Sequence, residues 1–351
     1  MKIAIVGYES PIGKWNPDSI NQGIPGSEEA VIHVYKIFKL RNYLIHIFMD
    51  PPEQNNYDDW FHCSLIHSTN NQYDIIILWR ICNFRYFKNR FPNSKIIYWP
   101  HDIFKKNSKD DTFKKNNNLT NNDITLFDGY LFLSTFHKNH FESIHNKVSN
   151  YVICGNGINL DEFDNYNKIK KNKYSIGYFS NYSRGLIVLL KIWKQLKVTF
   201  PNLTLKIYYG RSHWNTLSLE KYNEIIKYIK DLKIYDVYEM GKVNHFELAK
   251  AMCETSIWCY PCTSIETFCI TAIKAQYAGC IPVTSRIGAL NETVHPHAPN
   301  IKVVSCPYLY YNLLLQVLLD IDYYNNQRQN YIDFAKTFTW ERSVTLMETI
   351  F

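Results

Sequence analysis

The sequence predicts an α/β protein made of two doubly wound, Rossmann-like halves, and three observations carry that prediction. Apolar runs of strand length alternate with segments of helical period along nearly the whole chain, the pattern of parallel sheets covered by helices. The 351 residues exceed the roughly 100 to 200 of one domain. Near the middle, the stretch Asn165 to Lys173 (NYNKIKKNK) is polar, charged and without apolar period, so it divides the series in two.

In the first half the predicted strands are Lys2 to Gly7, Leu44 to Met49, Tyr73 to Leu78, Lys95 to Trp99, Gly129 to Leu133 and Val152 to Gly155. In the second they are Ser175 to Phe179, Leu203 to Tyr209, Ser256 to Tyr260, Ile281 to Thr284 and Ile301 to Val304. Helices lie between them. Glu28 to Arg41 places Val31, Val34, Tyr35 and Phe38 on one face, and Leu186 to Phe200 does the same with Leu189, Trp193, Leu196 and Phe200. The polar tract Lys105 to Asn122 is expected to form a surface loop.

Composition excludes several classes. At 46% hydrophobic and 16% aromatic the chain carries far more apolar material than a disordered one. The formal charge of +7 is spread along the sequence, which tilts toward an anionic small molecule and argues against a nucleic-acid partner. The opening MKIAIVGYES lacks the apolar core and cleavage site of a signal peptide, and no run reaches the ~20 apolar residues of a membrane span. A soluble, cytoplasmic protein with free thiols is expected, although peripheral membrane contact stays open. Nine cysteines form an odd and scattered set. Cys253, Cys259, Cys262 and Cys269 include one CxxC, but no second CxxC or His pair completes a zinc site, so they are read as packing thiols.

Open α/β sheets bind ligands beyond the carboxyl ends of their strands, so the residues there are the candidates. After the first strand, GIPGSEEAV leads into a helix, with Ser27 as its expected N-cap and with Gly26 and neighbouring amides available to a phosphate. His101 and Asp102 follow the fourth strand directly. Arg184, beside Gly185 at a helix start, is placed to hold a diphosphate. Glu266 lies in the loop before a helix expected to begin near Thr267, so that the amides of Thr267, Phe268, Cys269 and Ile270 could meet phosphate oxygens. A plain helix-capping role for Glu266 is the competing reading. His137, His140, His145, His295 and His297 are read as surface or structural.

Taken in order, GSEEAVIHVYKIFK, WPHD, GNGINLDEF, SNYSRGLIVLLKIW, YYG, MGKV and IETFCITAIKAQYAGCIPVTSRIGALNETV resemble the retaining GT-B glycosyltransferases of family 4, from Met1 to Val294. The terminal FTWERSV is similar to the helix that returns to the N-terminal domain in that family. The resemblance implies an acceptor domain over 1–168, a nucleotide-sugar donor domain over 169–334 and a returning helix over 335–351, with the cleft between the domains. It implies that Gly26 and Ser27 lie against the donor diphosphate or the acceptor, that His101 faces the transferred sugar, and that Arg184 binds the pyrophosphate. Val243 matches the position that contacts the base. Glu266 matches the first Glu of the family's E-x7-E motif, and Phe268 to Ile270 its phosphate-contacting backbone.

Two departures stand out. Lys274 replaces the second Glu of that motif, which normally holds the ribose hydroxyls, and is expected to pair with Glu266 or a phosphate instead. An Arg usual in the family before the Gly-preceding basic residue has no counterpart in YSIGYFSNYS.

The resemblance further implies transfer of a sugar from a UDP- or GDP-linked donor to a glycan or other hydroxyl acceptor, without cofactor or metal. The close pair Asp320 and Asp322 sits in an apolar helical stretch where i and i+2 face apart, a poor metal-binding D-x-D. A nucleotide-sugar binder that has lost catalysis, a sugar-nucleotide epimerase and a DNA-glucosylating enzyme are the alternatives. The first predicts tight donor binding without turnover, the second donor interconversion without acceptor, the third a basic face.

Overall fold

The computed structural model describes residues 1–10, 12–103, 121–166, 168–210, 217–301 and 306–351. Most of the expected loop at 105–122 and the end of the expected strand at 301–304 lie outside them. The chain divides into two compact units, one of Met1–Ser19, Ile24–Gly157 and Thr339–Phe351, the other of Ile20–Gly23 and Ile158–Phe338.

The first unit is built on seven parallel strands: β1 (Lys2–Val6), β2 (Leu44–Met49), β3 (Trp60–His62), β4 (Ile75–Trp79), β5 (Lys95–Trp99), β6 (Gly129–Phe132) and β7 (Tyr151–Ile153). Their order is β3-β2-β1-β4-β5-β6-β7, so the winding direction reverses between β1 and β4. The central strands read as unbroken apolar runs (Ile75–Trp79 is buried at every position), because helices cover both faces of such a sheet. The helix Gly26–Leu40 packs with its Val31, Val34 and Phe38 fully buried.

The terminal helix Trp340–Glu348 belongs to this unit. Thr339 caps it, accepting from the Arg342 amide. Ser343 donates to the carbonyl oxygens of Cys154 and Gly155, Arg41 pairs with Glu348, and the His33 ring stacks on Trp340 at 5.1 Å.

The second unit has six parallel strands: β8 (Asn172–Tyr178), β9 (Thr204–Tyr208), β10 (Val237–Gly241), β11 (Thr255–Tyr260), β12 (Ile281–Ser285) and β13 (Asn300–Ile301). The order β10-β9-β8-β11-β12-β13 reverses between β8 and β11. Its core gathers Trp193, Leu196, Leu205, Ile257 and Trp258 with the helix Pro307–Leu319 through Tyr310 and Leu314.

Contacts place the division between the units at Gly157 and Ile158, ahead of the polar stretch 165–173. That stretch leads straight into β8. Lys171 shows why its charge misleads: the ammonium is sequestered, donating to the carbonyl oxygens of Met252, Cys253 and Thr255 at 3.0, 2.9 and 2.8 Å. The short edge strands β3 and β10 are absent from the sequence prediction, since three residues and a largely exposed VYEMG carry no strong period.

Candidate active site

In the second unit the winding reversal lies between β8 and β11, and the residues beyond those strand ends converge there. After β8 the turn Tyr182–Arg184 ends at Gly185, whose φ of +94° starts the helix Leu186–Thr199. A Cβ at Gly185 would lie 1.8 Å from the Pro261 carbonyl oxygen, so glycine alone lets this turn close on the loop beyond β11. Arg184 is thereby brought to Glu266, with guanidinium nitrogen and carboxylate oxygen 3.5 Å apart.

Glu266 is held from three directions. Tyr260 donates its hydroxyl proton to Oε1 at 2.5 Å. The Glu266 backbone bridges Gly288 in parallel fashion and accepts from the Ala289 amide at 2.9 Å. Gly288 has φ +62°, and a Cβ there would stand 2.6 Å from the Glu266 carbonyl oxygen. Glu266 is therefore a loop residue stitched to the segment after β12, not a helix cap.

The following helix spans Ile270–Tyr277, three residues later than the sequence suggested, with Cys269 at its N-cap in the left-handed conformation (φ +76°). A β-carbon at that φ is strained. The first-turn amides of a helix lack intrahelical acceptors, so this end offers donors to an anion. Nearby ionisable groups follow the local field. The Glu266 carboxylate raises the Arg184 pKa, and burial pushes the Cys262 thiol up to about 12.

Lys274 does not pair with Glu266. It lies in the helix interior, 4% exposed, and its ammonium donates to Glu162 at 2.9 Å with His245 Nδ1 at 3.3 Å. Burial drives the Glu162 carboxyl up, but Lys274 and His245 overcome it and hold the group at about 2. Val243 follows β10, half buried, immediately before Asn244, which caps the helix His245–Glu254 in a capping box with Glu247.

The first unit gathers its own cluster at the reversal between β1 and β4. Arg80 follows β4 at φ +60° and grips Asp102 with two hydrogen bonds, 2.6 Å from Nε and 2.7 Å from Nη2. Its remaining nitrogen, Nη1, lies 3.4 Å from Ser27 Oγ and 3.8 Å from Glu28. Ser27 is not the helix cap: Pro25 is, Gly26 opens the helix, and the Ser27 hydroxyl donates to Glu28 at 2.6 Å. Glu28 is fully buried, and burial raises its pKa against the opposing pull of Arg80.

His101 sits beside this cluster, its ring edge-on to Trp99 (4.7 Å between centroids) and Trp79 (5.9 Å). Burial, then Arg80, pushes its pKa well down, so the imidazole is neutral. His137, expected at the surface or in a structural role, is fully buried and meets the Asp102 carbonyl oxygen at 3.1 Å. Arg80, Glu28 and Tyr260 escaped sequence reasoning. The available signal for each was its place at or just beyond a strand end or in a helix first turn.

Two parallel, doubly wound sheets of this topology make up the α/β fold of GT-B glycosyltransferase structures. Residues 159–332 match the family of glycosyl transferases group 1. Among solved structures the chain is similar to the sucrose-phosphate synthase of Thermosynechococcus elongatus (TM-score 0.78, 14% identity, covering 99% of this chain and 98% of that one). It is also similar to Anabaena HepE in complex with UDP and glucose (TM-score 0.69, 14% identity, 98% of each chain). A third is the catalytic domain of starch synthase IV from Arabidopsis thaliana bound to ADP and acarbose (TM-score 0.68, 11% identity, 99% and 98%). No curated protein matches the chain significantly. Among the described residues no helix is long and apolar enough to cross a membrane.

Proposed function

We propose that the protein transfers a sugar from a nucleoside-diphosphate sugar, UDP- or GDP-linked, to a glycan hydroxyl with retention of anomeric configuration and without a divalent cation. The observation that carries this reading is the pairing of Arg184 with Glu266 at the reversal point of the second sheet, beside the N-terminus of the helix Ile270–Tyr277. A single contact of 3.5 Å leaves guanidinium N–H groups available to exchange onto phosphate oxygens, where charge-assisted, bidentate bonds form. Glu266, freed from that contact but still oriented by Tyr260, accepts hydrogen bonds from the sugar hydroxyls.

In the reaction the bond between the anomeric carbon and the diphosphate oxygen breaks, its electron pair passing to the diphosphate. The acceptor oxygen attacks the same face, and its proton moves to the departing phosphate oxygen. Arg184 and the helix amides stabilise the charge that develops there, and the remaining gain comes from alignment. UDP-linked sugars are the first donors to try, since the HepE structure contains UDP and glucose.

NMR of the product from a donor and acceptor panel, with no added divalent cation, tests the proposal. The donor's anomeric configuration should persist. An inverted product, or turnover that requires added Mg2+ or Mn2+, would contradict it.

A further inference from the structure

A second group of chemically active side chains lies in the first unit, at the carboxyl edge of β1, β2 and β3. Parallel strands deliver the residues that follow them to one edge, and here the register is tight: Val6 pairs with Phe48, and Met49 pairs with His62. Glu9 therefore comes from the loop after β1, Asp50 from directly after β2, and His62 and Cys63 from the end of β3. One ligand atom each of Glu9, His62 and Cys63 lies within 4.8 Å of the others. Asp50 stands behind them, largely buried, with Oδ1 3.9 Å from His62 Nε2.

We propose that Cys63, His62 and Glu9, with Asp50 as fourth donor, form a zinc site that ties the edge strand β3 to the loop after β1. The donor chemistry is that of zinc: one thiolate, one imidazole and carboxylate oxygens. The spacing also fits, because a tetrahedral ion with bonds of about 2.0 to 2.1 Å sets its nitrogen and oxygen ligands about 3.4 Å apart, and His62 Nε2 and Glu9 Oε1 are 3.4 Å apart.

The other ring nitrogen is provided for. His62 Nδ1 lies 2.8 Å from the Ser64 hydroxyl. In the metal-bound tautomer Nδ1–H donates to that oxygen, replacing the weaker 3.3 Å bond from the Ser64 amide and leaving the Nε2 lone pair for the ion. Among the described residues no lysine or arginine lies within 4 Å of the Glu9 or Asp50 carboxylate; Lys14 of the same loop pairs with Glu53 at 3.1 Å. A divalent cation supplies the missing positive charge. The role proposed for the ion is structural.

Titration of chelator-treated protein with Zn2+ against a chromophoric competitor, and with Co2+ followed by absorbance, tests this. A Cys306→Ser background removes the exposed thiol. One ion per chain should bind at micromolar affinity or tighter, Co2+ should show a sulfur-to-metal charge-transfer band, and the melting temperature should rise. Cys63→Ser should abolish the band, and His62→Ala should weaken binding at least tenfold. Both apo variants should melt where apo wild type does, so that their losses are not unfolding. Absence of a stoichiometric ion, or equal affinity and an unchanged band in Cys63→Ser, would overturn the proposal.

Discussion

Arg80 and Arg184 each stand beyond a strand at the reversal point of a parallel sheet, each facing a carboxylate, yet they are held in opposite ways. Arg80 is 7% exposed, its nitrogens committed to Asp102, Ser27 and Glu28. Arg184 is 35% exposed and touches Glu266 through one 3.5 Å contact. The first arrangement is a scaffold, in which charge is spent on holding three segments together. The second leaves the guanidinium partly exposed and held by one contact, which is what the proposed binding of a diphosphate needs. Lys274, gripped by Glu162 and His245, belongs with the first kind despite its place in a motif helix.

Loss of a buried cation should have the largest effect. Arg80→Met strands Asp102 and Glu28, and Lys274→Met strands Glu162; each should cost about 3 to 5 kcal/mol of unfolding free energy, read by urea titration. A loss under about 1 kcal/mol would place these cations among ordinary surface ion pairs.

Arg184→Ala should do the reverse. Its unfolding free energy should fall by no more than about 1 kcal/mol, since the pair is partly exposed, while kcat for transfer drops about 10²- to 10³-fold, as for loss of one transition-state charge donor. If stability fell and turnover held, the two arginines would have exchanged roles.

Acid should weaken the fold in two stages. Burial lowers the His137 pKa to about 4, so below its free value of about 6.5 the unfolded chain takes up the proton first. From pH 7.5 to 5 this removes about 2 kcal/mol, and the depressed His101 acts in the same direction. Glu162, held at about 2, contributes stability that is complete above about pH 5 and is lost as pH falls through 2. Urea titrations at pH 7.5 and 5 check the first stage, and a His137→Gln variant should show the smaller slope.

Much of this was legible in the sequence. Apolar runs and helical periods give the two sheets because buried parallel strands need apolar residues on both faces. Arg184, His101 and Glu266 stand out in the sequence because strand ends are visible in the pattern and ligands gather at such ends in open α/β sheets, and the structure sets Arg184 against Glu266. What escaped depends on pairs remote in sequence. The partner of Lys274 is 112 residues upstream, and its orientation follows from which helix face meets the turn at Leu160–Glu162. Arg80 reads as the polar end of a strand until Asp102 is seen beyond the end of the neighbouring β5. Ser27 has a capping residue's chemistry, but the helix starts one residue earlier and its hydroxyl goes to Glu28.

The most direct test is calorimetric binding of UDP, and of GDP in parallel, to wild type, Arg184→Ala and Lys274→Met. One of the nucleotides should bind wild type, Arg184→Ala should weaken its binding at least tenfold while melting within about 2 °C of wild type, and Lys274→Met, where it folds, should keep the wild-type affinity. Unchanged nucleotide affinity in Arg184→Ala, or its loss in a folded Lys274→Met, would contradict the proposed roles of the two cations.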